Sequence, residues 1–182
     1  MSYKLPSIST LTTLPTEEQT TVLNHLFEPH SSIHKYLQPL LLTSNTYESY
    51  PDFINSCRSR FLLLKPSSDL TKDIISSHPR LGLPKDTVQI SSHSLAEQAN
   101  LQSGTTESDT LEFIKLNSAY ESRYPGLRFV LFVNGRGKDE IKLLFKQRIQ
   151  RNDYDMEVNE ALNAMCDIAL DRVKKLQAET KL

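Results

Sequence analysis

Residues 155–178 read DMEVNEALNAMCDIALDRVKKLQA, and this stretch decides the fold class. Val158, Ala161, Leu162, Met165, Ile168, Ala169 and Val173 recur every three or four positions, which lays one apolar stripe along a long helix. A stripe of that length must be covered by other elements, and the chain upstream supplies helices. Asp139 is expected to cap a helix reaching about Arg151, and Leu111, Ile114, Ala119 and Tyr120 mark another over about 109–123. Ser94 and Glu97 have capping-box spacing and open a helix there. Asp69 to Ser76 reads as a short helix that must stop near His78, because Pro79 disfavours helical geometry in the residue before it. Further helices are expected over 46–64, over 30–42 and from Thr16, taken as an N-cap with Gln19 three residues on.

The remaining segments punctuate this pattern. Residues 1–14 are polar and expected to be extended, 79–93 hold Pro79, Gly82 and Pro84 and read as an ordered loop, and Gln102–Ser108 is a polar break. Phe129 to Val133 is apolar and extended in character, with Asn134-Gly135 as a turn after it. No second strand is available to pair with it, so it is read as a buried connector. The expectation is an all-α fold: a single compact multi-helix domain over 1–182 with one short extended apolar segment near 129–133.

Composition excludes several function classes. The 21 basic and 22 acidic residues give a formal net charge of -1, so no basic footprint for nucleic acid is present. Two cysteines, Cys57 and Cys166, make neither a disulfide framework nor a CxxC motif, which fits a reducing intracellular compartment. No segment approaches the ~18 apolar residues of a membrane span, and no apolar run marks a signal peptide. The final tripeptide, Thr180-Lys181-Leu182, resembles the peroxisomal address S-K-L.

Among the five histidines, His30 and His34 stand at i and i+4, as helix-borne zinc ligands often do. No Glu follows His30 and no third ligand is signposted, so two ordinary histidines on a short helix is the plainer reading. His78 is more distinctive. A helix end raises an imidazole pKa and burial lowers it, so a value near neutrality is reachable there, which suits general acid–base work. A histidine that merely ends a helix remains the competing account. Ser94, Glu97 and Gln98 place a hydroxyl, a carboxylate and an amide together, although Glu97 could serve only as a cap. Arg172 falls within the apolar stripe of the last helix and therefore needs an internal acidic partner or an anionic ligand.

Four ordered blocks give these residues a context. They are His78-Pro79-Arg80-Leu81-Gly82; Ser94-Leu95-Ala96-Glu97-Gln98; Leu116-Asn117-Ser118-Ala119-Tyr120-Glu121; and Phe129-Val130 with Asn134-Gly135-Arg136. Together with Leu26-Phe27-Glu28 before them and Arg148-Ile149, Glu157, Ala161, Ile168 and Arg172 after, the chain resembles the 2-oxo-4-hydroxy-4-carboxy-5-ureidoimidazoline (OHCU) decarboxylases of urate breakdown over roughly 26–174. It departs from that family at Tyr124-Pro125-Gly126-Leu127-Arg128, one residue longer than the family's usual aromatic-Gly-Phe-Pro segment. The resemblance implies an all-helical homodimer without metal or organic cofactor that converts a small ureidoimidazoline to (S)-allantoin. It implies His78 as catalytic acid/base, completed by Glu97 and Arg172. Pro79, Ser94, Gln98 and the backbone of Phe129, Val130, Leu131, Phe132 and Val133 would bind substrate. Two rival readings stay open: a metal-dependent hydrolase built on His30 and His34, and a non-catalytic helical interaction module.

Overall fold

Ala, Leu, Met, Glu and Lys dominate residues 154–178, all strong helix formers, and in the computed structural model they form one uninterrupted helix, Tyr154–Ala178. The structure describes residues 3–83 and 92–178. A 3-10 helix over Ile8–Thr13 is followed by α1 (Thr16–Leu26), α2 (Ser31–Leu41), α3 (Tyr50–Phe61), α4 (Asp69–Ser76), α5 (Ser92–Gln102), α6 (Glu107–Arg123), α7 (Lys138–Arg151) and α8 (Tyr154–Ala178). The fold is all-α, with no strand among the described residues.

α8 is the central element, packed against α1, α3 and α4. Its stripe is covered as the periodicity requires: Ala161, Leu162, Met165 and Ala169 are fully buried, with Val158 and Val173 close to it. Phe27 and Phe61 meet edge to face in the same core. α6 and α7 form a second packed pair, in which Phe113 and Tyr120 lie against Phe145. Phe129 stacks on Phe145 with ring centroids 3.6 Å apart, so the 129–133 connector is anchored to α7 by its first side chain. Burying each such side chain contributes on the order of 2–3 kcal/mol. Both cysteines are free and buried, and burial pushes the Cys166 thiol up to about 12. Among the described residues no helix is long and apolar enough to cross a membrane.

Several local expectations are corrected. Residues 1–14 are not simply extended: the 3-10 helix inserts Leu11 completely into the core. Pro15, not Thr16, is the N-cap of α1, and Gln19 is buried, donating its amide to the carbonyl of Leu42 at 2.9 Å instead of closing a capping box. α3 is shorter than 46–64, because Ser49 caps it by accepting from the Asp52 N–H and Pro51 fits its first turn. Gly137 rather than Asp139 precedes α7. α5 begins at Ser92, so Ser94 and Glu97 lie inside the helix rather than at its N-cap and N3 positions. The expected 79–93 loop therefore ends earlier; its residues 84–91 fall outside the described residues.

Candidate active site

Pro79 ends α4 and begins a loop whose carbonyls are held by three other parts of the chain. Arg128 donates to the His78 carbonyl at 3.0 Å, Gln98 of α5 to the Arg80 carbonyl at 3.1 Å, and Asn117 of α6 to the Leu81 carbonyl at 3.0 Å. Arg80 grips Glu121 of α6 through two hydrogen bonds of 2.7 and 2.9 Å. Gly82 has φ +77°, and a Cβ there would lie 2.5 Å from the Phe113 ring, so only glycine lets the loop approach α6 this closely. The longer Tyr124–Arg128 segment thus acquires a definite job, since its last residue steadies the backbone of His78.

His78 is 5% exposed, and its Nε2 is buried without a hydrogen-bond partner. Burial pulls its pKa down to about 4; Glu28 and Glu97 oppose that shift, while Arg172 and Arg128 add to it. Of the two opposing effects at the end of α4, burial is the larger, and it carries the value below neutrality. An unpaired buried polar atom is costly, and a cleft-lining imidazole in that state is poised to receive a ligand atom.

Behind this residue lies a buried ionic cluster. Arg172 is fully buried on α8 and donates Nε and Nη2 to the two carboxylate oxygens of Glu97, each at 3.1 Å. Its Nη2 also reaches Glu28 at 3.0 Å and the Ser94 hydroxyl at 2.9 Å, and Nη1 donates to the Phe27 carbonyl. Ser94 in turn donates to Glu28. Burial works against the Arg172 charge, but Glu97 and Glu28 raise its pKa overall. The internal acidic partner that a cation in the apolar stripe calls for is thus supplied twice, by Glu97 and by Glu28.

A cleft of about 970 Å³ opens over these groups. His78, Pro79, Ser94, Glu97 and Gln98 share its wall with the whole 129–133 segment. Arg172 is absent from that wall and stands behind Glu97 and Ser94. Glu97, partly exposed, gives both oxygens to Arg172 and acts on His78 through charge. Gln98 spends its amide N–H on the Arg80 carbonyl and leaves its own Oε1 buried without a partner.

His30 and His34 are placed elsewhere and used differently. His30 is the N-cap of α2, its Nδ1 accepting from the Ser32 N–H, and His34 Nε2 lies 2.6 Å from Asn24 Oδ1. No group of three or more His, Cys, Asp or Glu among the described residues could hold a metal ion.

A model of the OHCU decarboxylase family matches residues 12–174. The chain belongs to the OHCU decarboxylase family. Among similar proteins is the uric acid degradation bifunctional protein of Bacillus sp. (strain TB-90), 28% identical over 160 residues, covering 87% of this chain and 30% of that protein. The uric acid degradation bifunctional protein PucL of Bacillus subtilis (strain 168) is 33% identical over 108 residues, covering 59% of this chain and 21% of that protein. This chain thus spans less than a third of the curated relatives it matches. The crystal structure of an (S)-allantoin synthase shares the fold, with a TM-score of 0.63 at 18% identity over 94% of this chain and 54% of that one.

Within this OHCU decarboxylase fold, three residues at or beside the cleft escaped the reading from sequence alone. Glu28 follows Leu26-Phe27, but nothing in its spacing marks a carboxylate between α1 and α2 as buried. Arg128 belongs to the segment that departs from the family pattern. Arg148, 3% exposed, pairs with the fully buried Glu157 and donates to the Val130 carbonyl at 2.8 Å, although periodicity marked it only as part of a helix face.

Proposed function

We propose that this chain decarboxylates OHCU to (S)-allantoin in urate breakdown, with no metal or organic cofactor and with His78 as the acid/base. The observation that carries the reading is the His78 Nε2: buried, unpartnered, on the wall of a cleft and flanked by a clamped Glu97. Family membership and the names of the Bacillus relatives support the same pathway.

The substrate supplies its own electron sink, which is what a cofactor provides in many other decarboxylations. The bond from the ring carbon to the carboxylate breaks, CO2 leaves, and the electron pair enters the adjacent ring C=N. The ring nitrogen that receives the pair takes up one proton. Neutral His78 removes the hydroxyl proton of the carbon that lost CO2, which becomes a carbonyl, and returns it to the neighbouring ring carbon on one face. One proton is consumed for each carboxylate lost. Glu97 and Glu28 favour the transient imidazolium, and Arg172 holds both carboxylates in place as a positioning residue. Pro79, Ser94, Gln98 and the 129–133 backbone surround the ring.

The intermediate also decays on its own to racemic allantoin, so the test is optical. Urate, urate oxidase and hydroxyisourate hydrolase generate the substrate, and circular dichroism follows one enantiomer. Accelerated appearance of the (S) form is expected; an unchanged racemic course overturns the proposal. One further expectation belongs to the same reading. The working species is a homodimer, for which a monomer mass in analytical ultracentrifugation would be the contrary result.

A further inference from the structure

The connector at 129–133 carries an asymmetry that the reaction can use. The Val130 carbonyl faces away from solvent into the guanidinium of Arg148, at 2.8 Å. Arg148 is held there from three sides. Its Nε donates to Glu157 at 2.9 Å, its Nη2 donates to the same carboxylate, and its guanidinium lies 4.3 Å above the Phe129 ring. Glu157 is itself fixed by the Tyr120 hydroxyl at 2.5 Å and by Arg151 at 2.7 Å. None of Arg148, Glu157 or Tyr120 lines the cleft, whereas Val130 and Leu131 do.

A trans peptide points its C=O and the following N–H in opposite directions, and this chain has no cis peptide among the described residues. Tying the Val130 carbonyl to Arg148 therefore aims the Leu131 N–H the other way. That N–H has no acceptor among the described residues. A cation on the carbonyl also polarises the whole peptide unit and strengthens its N–H as a donor.

We propose that Arg148, braced by Glu157 and Tyr120, is a positioning residue that pins the Val130 carbonyl in the core and thereby presents the Leu131 N–H to the cleft as the donor for a carbonyl or carboxylate oxygen of the substrate. This rests on the decarboxylase reading and deepens it. The buried ion pair orients a backbone dipole, and the backbone touches the ligand.

The experiment uses NMR and kinetics on the full chain. In the wild-type protein, titration with (S)-allantoin should move the Leu131 amide proton downfield, together with the Val130 carbonyl carbon and the Arg148 guanidinium signals. Leu131→Pro deletes the N–H and Leu131→Ala keeps it while shortening the side chain. KM for OHCU generated in situ should be about tenfold higher in the proline variant than in the alanine variant. Arg148→Lys cannot hold Glu157 and the Val130 carbonyl together, so KM should rise about three- to tenfold while kcat stays within about twofold. If that variant does not fold, the wild-type titration decides the role of Arg148. Silent Arg148 and Val130 signals, or equal KM for the two Leu131 variants, overturn the inference. A wild-type protein that forms no excess of one allantoin enantiomer overturns the decarboxylase reading instead, so the two failures are distinguishable.

Discussion

Neutral at pH 7, the His78 imidazole can accept a proton without first losing one. With its pKa held near 4, kcat/KM should stay level through neutrality and fall as pH drops through about 4, where the base becomes charged. His78→Asn should lower kcat by roughly 10²–10⁴-fold with the helical circular dichroism unchanged; full turnover in a folded variant removes the proposed role. Glu28 makes a sharper test, because it is buried behind the reacting groups. Its charge raises the His78 pKa, so Glu28→Gln should move the acid limb of the rate profile to lower pH and slow turnover about tenfold. A substitution that only loosened packing would lower stability and leave the limb where it was.

The loop from His78 to Gly82 shows what an element adds to its residues. It has little regular structure, yet Arg128, Gln98 and Asn117 each hold one of its carbonyls. Gly82→Ala would place a methyl against the Phe113 ring in a left-handed backbone, costing about 2–4 kcal/mol and pushing the loop off α6. Urea denaturation should report that loss, and turnover should fall with it although Gly82 does not line the cleft. The Pro79 and Gly82 punctuation was legible in the sequence because proline and glycine constrain the backbone locally. The staples were not, since Arg128, Gln98 and Asn117 reach the loop only after α5 and α6 pack. The same limit explains Ser94 and Glu97. Their spacing fits a cap, but α5 starts two residues earlier, and Arg172 and Glu28 claim both side chains. Arg172 was legible as needing a partner, because a cation inside an apolar stripe has few alternatives.

At the scale of the molecule, the long apolar stripe of α8 was enough to give the helical architecture, because a period near 3.6 over so many residues has only one geometric solution. What it could not show is how burying His78 bears on the pH dependence of stability. The unfolded chain binds a proton at His78 near pH 6.5, whereas the folded chain resists it until about 4. Stability should therefore decline as pH falls between those values, by roughly 3 kcal/mol from this group alone. Urea melts from pH 7 to 4 should show that slope, and His78→Asn should make it shallower, leaving the part that comes from His25, whose pKa burial also lowers to about 4. The Arg172–Glu28 pair, with 0% and 1% of its side chains exposed, has a further consequence. Mobile ions of the medium have no route to it, so ionic strength should act on this protein only at its surface. Turnover at saturating substrate should be nearly the same in 0.05 M and 0.5 M sodium chloride, to within about twofold.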